Sequence, residues 1–214
     1  MKLIHPFTCL VSGPTGSGKT SLVKELIHQN AILPKPERIV WLFAEDQPLY
    51  QNIKNVEFIQ GIPDDLESMF HANRCNLLII DDLMTQAHSD PRITRLFSVG
   101  SHHKNLSIVF IIHNLFHQGK EMRNLSLNSH YIMLFKNPRD SLQIATLARQ
   151  MYPGRSKFLI EAYQNATQGS YGYLLMDLKP TTPEDLRVRT NILPSQDQVV
   201  YLHKDAETPK IVSV

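Results

Sequence analysis

Apolar residues in this chain fall mostly in short unbroken runs, not in alternation with polar ones. Such runs predict strands at Thr8–Ser12, Arg38–Phe43, Val56–Ile59, Asn76–Ile80, Ser107–Ile112, Tyr131–Phe135 and Tyr171–Met176. Continuous Val, Ile, Leu and Phe suit parallel strands covered by helices on both faces. Between the runs, helical spacing predicts helices at Lys19–Gln29, Asp65–Ala72, Pro91–His102, Lys120–Ser126, Ser141–Met151 and Lys157–Gln164. Asp90-Pro91 and Asp140-Ser141 have the chemistry of helix starts. The alternation of strand and helix predicts an α/β fold with a doubly wound, mostly parallel sheet. From Pro180 onward the pattern breaks into polar residues and prolines. Residues 1–179 are therefore expected to form the folded domain. Residues 180–214 are expected to form an extended, partly ordered arm, with Val199–Leu202 as an edge strand or docking segment.

Composition adds bounds. With 214 residues, one domain with a tail is expected. The 42% hydrophobic and 20% charged content is that of an ordinary globular protein. A net charge of +2 permits nucleic-acid binding without arguing for it. Cys9 and Cys75 give no disulfide framework, which fits a reducing compartment. Pro6 interrupts the N-terminus before an apolar run develops, so no signal peptide is expected. No apolar stretch reaches membrane-spanning length, so no membrane role is expected. His102, His103, His113 and His117 lack the spacing of a zinc site.

The sharpest signal is Gly13-Pro14-Thr15-Gly16-Ser17-Gly18-Lys19-Thr20, a full Walker A pattern between a predicted strand and a predicted helix. Its glycines allow backbone N–H groups to turn around phosphates, and the helix N-terminus favours negative charge. Lys19 supplies a cation and Thr20 a hydroxyl for Mg²⁺. Ser21 completes the expected ATP-binding set.

Leu77-Leu78-Ile79-Ile80-Asp81-Asp82 has the form of a Walker B strand. Its carboxylates leave the end of the strand where ligands bind in such sheets. Asp81 is expected to hold Mg²⁺, and Asp82 to polarise the attacking water. The run Ser107–Ile112 ends in His113-Asn114, and either polar side chain suits a γ-phosphate sensor.

With these motifs in view, the chain resembles the FtsK/HerA-type DNA-pumping ATPases. It is most similar to the genome-packaging ATPases of Maverick/Polinton-like elements and adintoviruses, relatives of the poxvirus-type packaging ATPase. The resemblance runs from about Phe7 to about Leu193. It rests most on Asn114-Leu115-Phe116, the stretch Arg123–Tyr131, the stretch Leu134–Asp140, and Tyr171-Gly172-Tyr173-Leu174-Leu175-Met176-Asp177. It implies a compact RecA-like P-loop NTPase core that assembles as a homo-oligomeric ring and threads double-stranded DNA into a capsid. A capsid protein is then a candidate partner, and the setting is the host cytoplasm or nucleus, or the virion. Related sequences often carry glutamine at the position of His113, which moves the sensor assignment to Asn114. Rings of this kind complete each site in trans with an arginine, here Arg123, with Arg139 second. Two other classes compete. A small-molecule P-loop kinase would use Arg149, Arg155 and Lys157 around Pro153-Gly154 as a lid. A nucleotide-gated interaction module would bind ATP with little turnover.

Overall fold

The structure is a computed structural model that describes residues 1–83, 90–97, 104–115, 120–203 and 210–213. His102, His103 and His117 lie outside the described residues, as does the side chain of Arg123.

In chain order the strands are β1 (Leu3–Ile4), β2 (Thr8–Ser12), β3 (Ile32–Leu33), β4 (Arg38–Phe43), β5 (Glu57–Gln60), β6 (Asn76–Asp81), β7 (Leu106–Ile112), β8 (Tyr131–Phe135), β9 (Tyr173–Asp177), β10 (Val188–Thr190), β11 (Val199–Leu202) and β12 (Lys210–Ser213). The helices are α1 (Lys19–His28), α2 (Pro91–Arg95), α3 (Lys120–Leu127), α4 (Leu142–Met151) and α5 (Ser156–Ala166). Ten strands form one sheet in the order β12-β11-β10-β9-β8-β2-β7-β6-β4-β5, and β1 pairs with β3 in a separate parallel ribbon. From β8 to β5 all pairs are parallel, while β8 to β12 is antiparallel throughout. The fold is thus a mixed α/β arrangement around a large, partly parallel sheet.

The parallel strands are buried along nearly their whole length, which is why they lack alternation. Even-numbered positions such as Leu10, Leu78, Ile80 and Phe110 pack with Ile93 of α2, Leu125 of α3, Leu147 of α4 and Leu159 of α5. Odd-numbered positions such as Cys9, Val11, Trp41 and Ile79 pack with Leu22, Val23 and Leu26 of α1. Helices therefore cover both faces.

The expected helix at Asp65–Ala72 is a series of turns instead. Leu66 and Phe70 are buried there, but the local backbone bonds span three residues, as in Leu66 N–H to Pro63 O and Ser68 N–H to Asp65 O. The helix at Pro91 starts where expected, with the Asp90 carboxylate accepting from Arg92 N–H, and the part beyond Phe97 lies outside the described residues. Strand β9 begins at Tyr173, not Tyr171, because Tyr171 is left-handed with φ 61°. The segment read as an arm contributes β10, β11 and β12, with Val188, Val200 and Tyr201 buried. Among the described residues, no helix is long and apolar enough to cross a membrane.

Candidate active site

The chain leaves β2 toward β4 on one side and leaves the neighbouring β8 toward β9 on the other, so the sheet has a switch point between β2 and β8. Crevices at the carboxyl ends of such strands bind ligands. The expected site residues leave β2, β6 and β7 at that edge.

The loop Gly13–Gly18 follows β2 directly. Gly13 N–H bonds to Ile112 O at the end of β7, at 3.2 Å. A Cβ at Gly13 would lie 2.6 Å from the Phe135 Cβ, so only glycine fits between β2 and β8 there. Gly18 precedes α1 at φ 99°, in the left-handed region. No acidic side chain stands in the first turn of α1 and no side chain caps it. Its leading N–H groups and dipole remain available to an anion. Thr15, Gly16 and Ser21 are exposed, and Pro14 and Thr20 are half-buried. The Ser17 hydroxyl is buried without a hydrogen-bond partner.

Lys19 is 7% exposed, and its Nζ donates to Gly13 O at 2.7 Å and Pro14 O at 2.9 Å. The lysine thus folds back on the preceding loop. Burial lowers its pKa, and the charges of Asp81 and Asp82 pull it back up.

Asp81, the last residue of β6, is only 2% exposed. The Tyr50 hydroxyl donates to its Oδ2 at 2.9 Å. Burial raises the Asp81 pKa, while the Tyr50 and Thr20 hydroxyls favour its ionised form. Tyr50 follows β4 in a short 3₁₀ turn and sits among Trp41, Phe43 and Phe58, with ring centroids 5.0 to 5.5 Å away. A buried carboxylate beside the Thr20 hydroxyl is a hard oxygen donor set, and it fits Mg²⁺.

Asp82, unlike Asp81, is exposed. Its backbone is left-handed at φ 56°, and its side chain is 51% exposed. The Oδ1 lies 2.7 Å from Nε2 of His113, at the tip of the neighbouring strand β7. Asn114 points elsewhere: its Nδ2 donates to Asp140 Oδ2 at 3.3 Å. Asp140 Oδ2 also accepts from Gln143 Nε2 at 2.9 Å, and Gln143 Oε1 accepts from Leu115 N–H at 3.1 Å and from Ser12 Oγ at 3.4 Å. His113 and Asn114 therefore serve different partners. Sequence left open which of them does which work.

Arg139 is exposed on the β8–α4 loop, with its N–H bonded to Asn137 Oδ1 at 3.2 Å. The Tyr163 hydroxyl pins this loop, accepting from Asn137 N–H at 2.9 Å and donating to Phe135 O at 3.0 Å. A cleft of about 460 Å³ opens beside the Walker A loop. Its walls are residues 14–17, Lys136 with Pro138, and residues 168–172. Arg149, Arg155 and Lys157 do not line it.

Sequence reasoning did not name Tyr50, Gln143, Lys136 or Tyr171 as site residues. Gln143 carried a signal, since it is a polar residue on the apolar stripe that includes Ile144 and Leu147. Gly169-Ser170-Tyr171-Gly172 carried the composition of a turn. Tyr50 carried none, because its partner is 31 residues away.

No protein-family model and no curated protein matches the sequence. Solved structures do match in fold. The genome-packaging NTPase B204 of Sulfolobus turreted icosahedral virus 2, in complex with ATP-gammaS, superposes with a TM-score of 0.57 at 12% identity, covering 86% of this chain and 96% of that one. The DNA-packaging ATPase B204 from Sulfolobus turreted icosahedral virus gives 0.56 at 13% identity, covering 94% and 98%. The cytoplasmic domain of the Thermomonospora curvata type VII secretion ATPase EccC gives 0.54 at 13% identity, where 86% of this chain corresponds to 25% of the longer one. At these identities the likeness concerns the fold.

Proposed function

We propose that this chain is an Mg²⁺-dependent ATP hydrolase that drives double-stranded DNA through a homo-oligomeric ring, packaging a viral or virus-like genome. The observation that carries the reading is the division of labour at the end of β6. One carboxylate, Asp81, is buried beside Thr20. The next, Asp82, is exposed and held by His113. The fold likeness to packaging ATPases supports the same reading.

In this mechanism the Walker A amides and Lys19 receive the β- and γ-phosphates. The lysine exchanges its two loop carbonyls for phosphate oxygens. Thr20 and Asp81 hold Mg²⁺, which neutralises charge on the phosphate oxygens when bound. Asp82 accepts the proton of the attacking water through its free oxygen, while His113 fixes the other. Asn114, at the end of β7, senses the γ-phosphate and reports its loss to Asp140 and α4. Arg123 or Arg139 of a neighbouring subunit stabilises the transition-state charge, a contribution of roughly 10³–10⁵ in rate in related GTPases.

A phosphoryl-transfer kinase is disfavoured, because the arginines expected to form a lid do not line the cleft beside the loop. The test is the fate of γ-labelled ATP with and without duplex DNA. Free phosphate that rises with any duplex sequence, and falls steeply with salt, is expected. Lys19→Ala abolishes ATP binding, and Asp82→Asn keeps binding while losing turnover. Label transferred to a small acceptor, or full turnover in Asp82→Asn, refutes the assignment.

A further inference from the structure

We infer that the cleft beside the Walker A loop is the seat of the nucleoside, with the ring of Tyr171 as the platform on which the base stacks. This deepens the proposed ATP-hydrolase reading and rests on it.

Tyr171 is a conspicuous residue. The residue is 70% exposed although its ring is large and apolar, and its backbone is left-handed at φ 61°. A bulky residue there is an outlier that the surrounding structure must enforce. The enforcement is visible. Gly172 follows, and a Cβ on it would lie 2.4 Å from Ala166 O and 3.1 Å from Thr167 Cα. Gly172 N–H bonds to Gly169 O at 3.2 Å, and Gln168 N–H bonds to Asn165 O at 3.3 Å. The α5–β9 turn is thereby clamped to the end of α5, and Tyr171 is pushed outward toward the Walker A loop. Its ring lies against Gly18: a Cβ on that glycine would meet Tyr171 Cδ1 at 2.9 Å. The aromatic surface therefore stands at the start of α1, beside the N–H groups that receive phosphate.

The cleft fits a nucleoside in size and chemistry. About 460 Å³ lies within the range of small-ligand sites. One wall is the outer arm of the phosphate loop, so an occupant of the cleft is within covalent reach of a triphosphate held by the loop. Opposite stand the exposed Gln168 amide and Ser170 hydroxyl, which suit a sugar or base edge, with the exposed Lys136 ammonium on the third wall. Every base has a π-face, so stacking on Tyr171 supplies affinity with little base selectivity.

The test is calorimetric titration of the full chain with ATP and, separately, with inorganic triphosphate. Base stacking of this kind predicts that Tyr171→Ala weakens ATP binding by roughly 5- to 150-fold and leaves triphosphate binding unchanged. Tyr171→Phe retains the wild-type affinity for both. Thermal unfolding of each variant checks that the exposed ring is not required for folding. Unchanged ATP affinity in Tyr171→Ala, with Lys19→Ala still abolishing it, overturns the stacking assignment and leaves the ATPase reading intact. Equal loss of ATP and triphosphate also overturns it, since the ring would then act by propping the phosphate loop. A wild-type chain that binds neither ligand overturns both readings together.

Discussion

Tyr50→Phe isolates one hydrogen bond at the centre of the site. The tyrosine is buried, its hydroxyl donates to Asp81 Oδ2 at 2.9 Å, and the acceptor is a carboxylate with almost no contact with water. Phenylalanine keeps the ring contacts with Trp41, Phe43 and Phe58. The change therefore removes a donor without opening a cavity of side-chain size. A hydrogen bond to a charged group contributes about 1.5–3 kcal/mol, and the Thr20 hydroxyl beside Asp81 softens the loss. A cost of about 2 kcal/mol follows, or a fall in Tm of about 4–8 °C for a chain of this size. Thermal unfolding at neutral pH, without nucleotide or metal, measures it. The control is the same change in an Asp81→Ala background. There the hydroxyl has lost its acceptor, and its removal costs nothing or stabilises. Equal stability of Tyr50→Phe and wild type, or an equal loss in both backgrounds, refutes the reasoning.

Two further predictions concern turnover. If His113 acts by holding Asp82, His113→Ala lowers kcat with little change in KM, and adding it to Asp82→Asn causes no further loss, whereas independent roles give multiplied losses in steady-state assays. If the arginine acts in trans, specific activity rises with protein concentration, and mixing inactive Arg123→Ala with inactive Lys19→Ala restores some activity. A co-assembled mixture that stays inactive moves the same test to Arg139.

The tip of β7 is tied in two directions. His113 reaches the second β6 carboxylate, while Asn114 and Leu115 reach Asp140 and Gln143 at the start of α4. Gln143 also receives the Ser12 hydroxyl, immediately before the Walker A loop. Gln143 is buried, so breaking any of these bonds leaves a polar group without water to replace the partner. A displacement at Asn114 must therefore carry α4 and the β8–α4 loop with it or forfeit those bonds. That loop bears Arg139 and Lys136, the second of which lines the cleft.

What was legible in the sequence and what was not divide along a physical line. Strands β2, β4 and β8 begin and end where their apolar runs do, because both faces of each are buried and the pattern has no other cause. The strand, loop and helix around residues 13–20 were legible because the signal lies in consecutive residues. Where the signal was compact but the environment was remote, reading failed. The helix expected after Pro63 is absent, and its apolar residues Leu66 and Phe70 are buried from turns instead. Tyr171 was read as the start of a strand because it opens an apolar run, yet Gly172 and the end of α5 force it into a left-handed turn. The pairing of His113 with Asp82, and of Tyr50 with Asp81, depends on the order of strands in the sheet: β4, β6 and β7 stand side by side although long segments separate them in the chain. Sequence names the groups at the ends of strands. Only the order of those strands decides which groups meet, and the chemistry of this site is set by that order.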